Sequence, residues 1–473
     1  MNTVGTVAIN EGYGIRGVYD MSFKNKAGKL FKLLQLSFNS FLKSHQPGKG
    51  SSYPTADGTF IQLDMTGEWD DAKWLKEFYF LREAGMHYLI VMGTAFTEGN
   101  VIKTAYPTNL PDCSMFTKKD IIDTLLRNAE AAGMKVFLGI NFNEEWWKKA
   151  ASDPEWLFAQ MQRDNMIADE LYRLYHYRYP GAFYGWYWMY EVDNMNFKSK
   201  KQFKILAKAI SIQLDFLSEH HERLPFMLSP FMNLAYACPG RYGNGWAYLF
   251  KHTGLGDGDV FCPQDSVGGG GVGLQDVGRW FAAFRRAVDK KPGLLLWANT
   301  ECFDHKTWSS APVGRFIRQM ENEKPYVDNL VTFAYSHYYS PNNINPGYHR
   351  TYVDYVRTGK LDCQRPDAPE TVEIERLDEK CFKISWTPAK DNIGVCGYIL
   401  YRNGIPVFRT EVQRSYGGSG EGPVTTYMDV LSKKPGSSGI TYEARAFDFA
   451  GNISIPGRVK KISGYSSNNC FVK

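Results

Sequence analysis

The stretch IIDTLLRNAEAAGMKVFLGINF (residues 121–142) contains the unit whose repetition decides the fold. Its first part has apolar residues at helical spacing and ends in Gly133, a residue type that commonly terminates helices. A short apolar run follows at 135–142 and leads into a polar loop. This order of helix, short buried strand and loop is typical of parallel sheets whose strands are connected by helices.

The same unit recurs along the chain, which contains eight short apolar runs between residues 58 and 339. The runs are GTFIQLD (58–64), HYLIVMGTAF (87–96), KVFLGINF (135–142), GWYWMYEVD (185–193), LPFMLSPFM (224–232), DVFCPQDSVG (259–268), GLLLWANTECF (293–303) and NLVTFAYSHYY (329–339). Eight repeats predict an α/β fold, a (β/α)8 TIM barrel over residues 58–362. An open doubly wound sheet is the rival, but no G-x-G-x-x-G follows the first strand and no G-x-x-x-x-G-K-[ST] occurs.

The two ends of the chain have a different texture. Residues 1–57 predict an N-terminal helical and linker segment, with apolar residues at helical spacing in KAGKLFKLLQLSFNSFLKS (26–44). Residues 363–473 predict an all-β sandwich, because short alternating runs are separated by turn dipeptides. The entry PDAP (366–369), Trp386, GYILYRNG (397–404) and TYEARAFDFAGN (441–452) resemble a fibronectin type III domain. We expect this domain to be a spacer without a ligand site of its own.

Composition limits the functional classes. Aromatic residues make up 15% of the 473 residues, which suits sugar stacking but is explained as readily by a large core. The net charge of +5 is spread along the chain, so we expect no nucleic-acid partner. Eight cysteines include no C-x-x-C pair and no zinc spacing, and we expect neither a metal nor another cofactor. One or two disulfides are compatible with the sequence, which does not pair them.

The sequence gives little information about the cellular location or the oligomeric state of the protein. No apolar run reaches 18 residues, so we expect no membrane span. The N-terminus lacks a secretory leader, so that the protein is either cytosolic or, if a leader was removed, secreted, periplasmic or at the cell surface. We expect a monomer whose partner is a carbohydrate substrate.

Polar and aromatic residues follow the apolar runs, where a TIM barrel forms its active-site mouth. From these positions we predict twelve substrate-binding residues: Gln62, Asp64, Asn141, Glu145, Trp188, Tyr190, Asp193, Gln264, Asp265, Asn299, Tyr335 and His337.

Glu191 is the first predicted catalytic residue. It follows an aromatic strand, and apolar neighbours such as Trp186 and Trp188 would raise its pKa and keep it protonated for general-acid work. The alternative is a carboxylate that pairs with an arginine or caps the next helix. Asp193 or Asn194 is the better candidate for that cap.

Glu301 is the second predicted catalytic residue. It follows the apolar segment LLLW (294–297), where a charge is costly unless it has a partner or a task. A structural ion pair with a barrel arginine is the alternative. Two carboxyl groups that flank one bond are what glycoside hydrolysis requires.

Asp265 and His337 are less specific. Asp265 precedes a run of glycines that would allow a close approach to a ligand, and we expect it to bind substrate. It could instead bond its own backbone in a turn, or serve as the base of an inverting pair with Glu191. A hydrogen-bonded structural histidine is as good an account of His337 as substrate binding.

Two resemblances connect these residues with an activity. The chain resembles clan A glycoside hydrolases, which implies that Glu191 is the acid/base, that Glu301 is the nucleophile and that configuration is retained. It departs from that clan at Tyr190, where an asparagine is usual. It is more similar to a poorly characterised bacterial family of glycoside-hydrolase-like barrels, through GTFIQLD, Y-E-x-D, QDSVG and N-x-E-x-F between residues 58 and 358. That family supplies a fold and a class of chemistry without a substrate.

Two other functions stay open on the sequence alone. The first is a non-catalytic barrel whose carboxylates bind sugar hydroxyls. The second is a metal-assisted hydrolase or lyase that uses Asp64 or Asp265.

Overall fold

The barrel closes around eight parallel strands. The computed structural model describes residues 52–99, 101–412, 422–435 and 439–462. The barrel strands are β1 (Gly58–Gln62), β2 (Tyr88–Met92), β3 (Lys135–Gly139), β4 (Phe183–Trp188), β5 (Phe226–Leu228), β6 (Val260–Phe261), β7 (Leu295–Glu301) and β8 (Asn329–Phe333). Each strand pairs with its neighbour in sequence, and β1 pairs with β8 to close the ring. The prediction of a (β/α)8 barrel is therefore confirmed; seven strands lie inside their predicted runs, and β4 begins two residues before its run at 185–193.

Helices connect the strands. They are α1 (Asp71–Glu83), α2 (Ile121–Ala132), α3 (Trp146–Lys149), α4 (Pro154–Leu171), α5 (Lys200–His220), α6 (Pro239–Lys251), α7 (Val277–Val288), α8 (Val313–Glu323), α9 (Tyr335–Tyr338) and α10 (Pro346–Thr358). As predicted, Gly133 ends α2 with φ of +65°, a conformation that favours glycine. The predicted helix at 26–44 lies outside the described residues. None of the described helices has the length and apolarity that a membrane span requires.

Short irregular elements surround the strand ends. A four-stranded sheet is formed by Ala95–Glu98, Val101–Thr104, Cys113–Met115 and Phe142–Asn143. A small hairpin, Phe303–Asp304 with Ser309–Ser310, follows β7 directly. Single helical turns occupy Leu63–Thr66 and Tyr172–His176.

Strand β4 shows how the barrel separates its two apolar layers. Successive side chains of a strand point to opposite faces. Tyr187 belongs to the apolar cluster inside the barrel, together with Met189 just beyond the strand. Trp186 and Trp188 belong to the larger cluster between the strands and the helices. This alternation decides which residues near the strand end can reach the mouth.

Two antiparallel sheets form the C-terminal part. The strands are β9 (Val372–Arg376), β10 (Cys381–Trp386), β11 (Val395–Arg402), β12 (Ile405–Glu411), β13 (Thr426–Val430), β14 (Ile440–Asp448) and β15 (Lys460–Ile462). They are ordered β9-β10-β13 and β12-β11-β14-β15. Trp386 is buried against Tyr398, between the sheets, with ring centroids 5.7 Å apart. The predicted β-sandwich is confirmed, whereas its fibronectin type III identity stays a prediction.

The sandwich packs directly on two barrel helices. The backbone N–H of Val313 donates to Phe449 O at 2.9 Å, and that of Gly314 donates to Ala450 O at 3.0 Å. The Phe449 ring packs edge-on against Tyr348 of α10. The predicted boundary between residues 362 and 363 falls in the segment between α10 and β9 and stays a prediction. The seven described cysteines are all free thiols.

Candidate active site

Glu191 and Glu301 lie at the same end of the barrel. Glu301 is the last residue of β7 and shares its inward face with Trp297, a member of the apolar cluster inside the barrel. Glu191 lies three residues beyond β4 and continues the inward positions of Tyr187 and Met189. The carboxyl ends of parallel strands form the mouth of such a barrel. Both predicted catalytic residues therefore lie at the mouth.

Glu191 is half-buried and has one close side-chain partner. The Gln264 amide donates to Glu191 Oε1 at 2.8 Å and to the backbone oxygen of Ser229 at 3.2 Å. Burial raises the pKa of Glu191; the hydrogen bond from Gln264 opposes this rise and the charge of Asp193 adds to it. A carboxyl with a raised pKa is suited to hold a proton near neutral pH.

The raised pKa of Glu191 does not come from the neighbours that were predicted from the sequence. The predicted neighbours were Trp186, Trp188 and Tyr190, but these rings face the helices. The aromatic neighbour on the inner side is Tyr187, whose own pKa is raised by burial and then by the charge of Glu191. A period of two residues explains the error, because 186, 188 and 190 share the outer face.

Glu301 is more enclosed, with 4% of its surface exposed. The backbone N–H of Gly269 donates to its Oε2 at 2.6 Å. Burial raises the pKa of Glu301 to about 8; the charges of Asp265 and Glu191 add to the rise, and the N–H of Gly269 opposes it. Because Glu191 contributes to this pKa, the two glutamates interact electrostatically across the mouth.

The glycine run after β6 packs against Glu301. A Cβ on Gly268 would lie 2.8 Å from Glu301 Cβ and 2.6 Å from Phe303 O, and neither contact is sterically tolerable. The run is also tied to the hairpin after β7, since the His305 N–H donates to Gly268 O at 3.0 Å. The glycines therefore allow a close approach, as the sequence indicated, but the group approached is Glu301.

Asp265 is fully buried and its two oxygens bind protein donors. Oδ1 accepts from the backbone N–H of Val267 at 3.1 Å and from that of Glu301 at 3.2 Å. Oδ2 accepts from the Gln319 amide at 2.5 Å. This is the turn-forming alternative considered for Asp265, and the structure does not point its carboxylate into the mouth.

Four predicted substrate-binding residues are directed away from the mouth. The Tyr190 hydroxyl donates to the buried Asp164 of α4 at 2.9 Å, and the Asn141 amide donates to the same carboxyl at 2.7 Å. Trp188 Nε1 lies 3.4 Å from the sulfur of Met161. Tyr335 bonds His349 of α10 at 2.7 Å. We correct the expectation for these four, because their polar atoms are used between the strands and the helices.

Three predicted residues have local structural partners. Asp64 is exposed and accepts the backbone N–H of the next residue. Glu145 forms ion pairs with Lys148 and Lys149, which lower its pKa. Asp193 accepts the backbone N–H groups of the two residues that follow Asn194. The cap of α5 is neither Asp193 nor Asn194 but Ser199, which forms a capping box with the helix.

The other predicted residues lie at strand ends near the two glutamates. Gln62 is half-buried at the end of β1. The Asn299 amide donates to Ser229 Oγ at 3.4 Å, while its Oδ1 is buried with no hydrogen-bond partner in the described structure. His337 stacks on Phe333 with ring centroids 6.0 Å apart. Of the predicted binding residues, Gln264 thus contacts the side chain of Glu191, Asp265 contacts the backbone of Glu301, and Asn299 lies two residues before Glu301 on β7.

The polar face of α8 was not predicted from the sequence. Arg315, Gln319 and Glu323 lie four residues apart and so share one side of the helix. Gln319 and Glu323 are fully buried, behind Glu301. Polar residues at i, i+4 and i+8 in an otherwise apolar helix face were the signal that would have identified them.

A comparison with protein-family models assigns the chain to a family. The model described as "Domain of unknown function (DUF4434)" matches residues 56–345, which is more than half of the chain. The chain belongs to this family. The match contains all eight barrel strands and both Glu191 and Glu301.

Other comparisons relate parts of the chain to carbohydrate-active proteins. A solved structure from Bacteroides thetaiotaomicron VPI-5482, provisionally named an alpha-L-fucosidase, matches 62% of this chain and 88% of its own with a TM-score of 0.51 and 20% identity. This likeness shows a glycoside-hydrolase-like barrel fold. An alpha-amylase of Niallia circulans and Chitinase Chi52 of Paenibacillus xylanexedens are 31% and 29% identical over 93 residues. The matched segments span only 6% and 15% of those two proteins.

The described part of the DUF4434 chain contains one cluster of acids with metal-ligand proximity. Asp362, Asp391 and Asp448 place carboxylate oxygens within 4.8 Å of one another. The cluster involves the linker and the sandwich. Asp64 and Asp265 do not belong to such a cluster within the described ranges, so the metal-assisted alternative gains no support from them.

Proposed function

We propose that this protein is a glycoside hydrolase in which Glu191 and Glu301 cleave one glycosidic bond of an oligo- or polysaccharide. The observation that carries the proposal is the placement of two glutamates, Glu191 just beyond β4 and the buried Glu301 at the end of β7, at the mouth of a glycoside-hydrolase-like barrel. Taking carboxyl groups out of water is costly where, as among the described residues, no cation pairs with either side chain, and such sites are typically functional. The matches to an alpha-amylase and a chitinase, each over 93 residues, support a carbohydrate as the substrate.

The two glutamates take different roles. By its position after β4, Glu191 is the acid/base that protonates the leaving oxygen. By its position at the end of β7, Glu301 is the nucleophile that attacks the anomeric carbon. Bond cleavage then forms a glycosyl ester on Glu301, and Glu191 as a base activates the water that hydrolyses it. We propose retention of configuration, for which the carboxyl groups should stand about 5–5.5 Å apart.

One proton serves this pair. In the free protein it resides on Glu301, whose pKa burial raises to about 8. The reacting form has the proton on Glu191, where a sugar oxygen accepts a hydrogen bond from it. Transfer within the pair leaves the total charge unchanged, so the active population is set by the pair as a whole and not by either group alone.

Gln264 and Asn299 position the substrate around the pair. Gln264 fixes one oxygen of Glu191 and leaves the other for the leaving group. The buried Oδ1 of Asn299 lacks a hydrogen-bond partner in the described structure and is therefore suited to accept one from a sugar hydroxyl.

The proposal is tested by incubating wild type, Glu191→Gln, Glu301→Gln and Glu222→Gln with a panel of plant, microbial and host polysaccharides and measuring reducing ends. Glu222 precedes β5, at the other end of the barrel, and its side chain is 72% exposed, which makes it a matched control. We expect wild type and Glu222→Gln to release the same sugars, and both mouth variants to lose release. Equal rates in all four proteins would refute the assignment of the pair. Binding of a glycan without cleavage by wild type would establish the non-catalytic barrel instead.

A further inference from the structure

The main chain of Glu301 is held from behind by α8. The Gln319 amide donates to Glu301 O at 3.0 Å, and Arg315 Nη2 donates to the same oxygen at 3.2 Å. On the other side of this residue, the backbone N–H donates to Asp265 Oδ1. Gln319 also binds Asp265 Oδ2, so that it links the two contacts. The peptide groups that carry the Glu301 side chain are therefore fixed in both directions.

Glu323 places a second buried acid beside Asp265. Its Oε2 accepts from Thr300 Oγ1 at 2.5 Å, while its Oε1 has no donor in the described structure. Burial raises the pKa of Glu323 well above its usual range, and the charge of Asp265 and a hydrogen bond to it add to the rise. Protonation of Glu323 would satisfy both facts, because a hydroxyl at the unpartnered Oε1 can donate a hydrogen bond to the carboxylate of Asp265. Two neighbouring acids in a buried site are stable when they share one proton.

We propose that Asp265 and Glu323 form a buried, proton-sharing acid pair that positions Glu301 and controls whether its side chain is ionised. Glu323 keeps the proton and donates it in a hydrogen bond, so Asp265 stays negative. Asp265 in turn holds the Glu301 N–H and places a charge close to the Glu301 carboxyl. The inference rests on the proposed function only for the catalytic role of Glu301.

The charged and titratable groups around Glu301 come from three elements. Glu191 faces it from the segment after β4, Asp265 from the segment after β6, and Arg315 and Glu323 from α8. Asp265 is the largest electrostatic contributor to the raised pKa of Glu301 after burial, ahead of Glu191. Asp265 and Glu323 are thus positioning residues, which act through Glu301 rather than on the substrate.

Three isosteric or near-isosteric variants separate charge from hydrogen bonding. Asp265→Asn keeps an acceptor for the Glu301 N–H but removes the charge. Glu323→Gln keeps a neutral donor for Asp265, whereas Glu323→Met has similar length and no donor. The unfolding free energy is measured as a function of pH for each variant, with and without the additional substitution Glu301→Gln. The difference between the two curves gives the apparent pKa of Glu301 in that variant. This readout requires no substrate.

The expected results distinguish the three variants. We expect Asp265→Asn to lower the apparent pKa of Glu301 by roughly one unit, because a like charge is removed. We expect Glu323→Gln to leave it unchanged. On a glycan identified by the panel, kcat should stay within about threefold for Glu323→Gln and fall more than about tenfold for Glu323→Met, with little change in KM.

Two results would overturn the acid pair. One is an unchanged apparent pKa of Glu301 in Asp265→Asn. The other is equal behaviour of Glu323→Gln and Glu323→Met in both readouts. If no glycan is cleaved by wild type, the proposed function fails while the unfolding measurement still decides whether the acid pair controls Glu301.

Discussion

Glu191 and Glu301 both lie at the mouth, one three residues beyond β4 and the other at the end of β7, yet their surroundings differ. Glu191 is half-buried and accepts one hydrogen bond from a flexible amide side chain. Glu301 is enclosed by a glycine run, accepts a backbone N–H and lies beside a buried acid. The first arrangement leaves a carboxyl accessible on one side, and the second fixes it. A pair of acids becomes functionally unequal because of what surrounds each member, and not because of its residue type.

The difference also supports the proposed location of the shared proton on Glu301. Burial alone raises the pKa of both groups, but only Glu301 has Asp265 beside it. A retaining mechanism needs a fixed nucleophile and an acid/base that meets both the leaving group and water. The rigid position of Glu301 and the more open position of Glu191 suit these two roles.

The largest effect on activity should come from the removal of either carboxyl group. Azide, as an external nucleophile, should then restore part of the activity. Glu191→Ala and Glu301→Ala should each lose about 10²–10⁴-fold in kcat, the usual contribution of such groups. Azide should rescue Glu191→Ala with a glycosyl azide of retained configuration and Glu301→Ala with one of inverted configuration. Product NMR checks the two configurations. The reverse pattern would exchange the roles of the two glutamates.

The next largest effect should be a fall in activity at high pH, where the two glutamates lose their shared proton. Because burial raises the pKa of Glu301 to about 8, the pair keeps its single proton up to that pH and loses it above. Activity should therefore fall by about tenfold per pH unit well above pH 8. Steady-state kcat/KM between pH 5 and 10 checks this limb. An activity that is flat to pH 10 would contradict a shared proton.

Stability should depend on pH through the same group. The pKa of Glu301 is raised in the folded state above its unfolded value of 4.5, so its stabilising contribution is complete below pH 4.5 and is lost as pH rises through 8. Relative to Glu301→Gln, wild type should lose roughly 3–5 kcal/mol of unfolding free energy between pH 4.5 and 9. Urea unfolding of both proteins measures the difference. A constant difference across this range would show that Glu301 is ionised in the folded protein.

The glycine run should tolerate no side chain next to Glu301. Gly268→Ala should cost about 1–3 kcal/mol and lower activity, because its Cβ would meet Glu301 and the backbone of the hairpin. Gly67→Ala is the matched control, since a Cβ at Gly67 meets nothing within 4 Å and the residue has helical φ and ψ. Thermal unfolding and activity are compared. Equal tolerance at both positions would show that the run does not fix Glu301.

The smallest effect on activity should come from the outer face of β4. Tyr190→Phe removes the hydrogen bond to Asp164, a carboxyl whose pKa burial raises to about 7. Stability should fall by about 1–3 kcal/mol, while kcat/KM stays near that of wild type. Loss of activity without loss of stability would instead place the Tyr190 hydroxyl at the substrate.

The fold was predictable from the sequence because hydrophobic periodicity is local. The run KVFLGINF (135–142), for example, contains all of β3, and each stretch that connects two barrel strands contains a helix. The strand ends also identified Glu191 and Glu301, since the C-terminal ends of barrel strands are known from the fold alone.

The directions of side chains around those ends were less predictable. Because side chains of a strand alternate between its two faces, Trp188 and Tyr190 lie on the outer face of β4. The sequence does not show where β4 ends and this alternation stops. The contacts of Asp265 with Gln319 and Glu323 join residues more than fifty positions apart, and only the folded barrel brings them together. Long-range polar contacts of this kind leave no local pattern except the i, i+4 spacing on α8.

The most direct test of the central claim is a crystal structure of Glu191→Gln with an oligosaccharide taken from the panel. We expect the anomeric carbon of the bound sugar to lie about 3–3.5 Å from the Glu301 carboxyl. The glycosidic oxygen should lie within hydrogen-bond distance of residue 191. An oligosaccharide bound with both residues out of contact would contradict the claim that these two glutamates act on one bond.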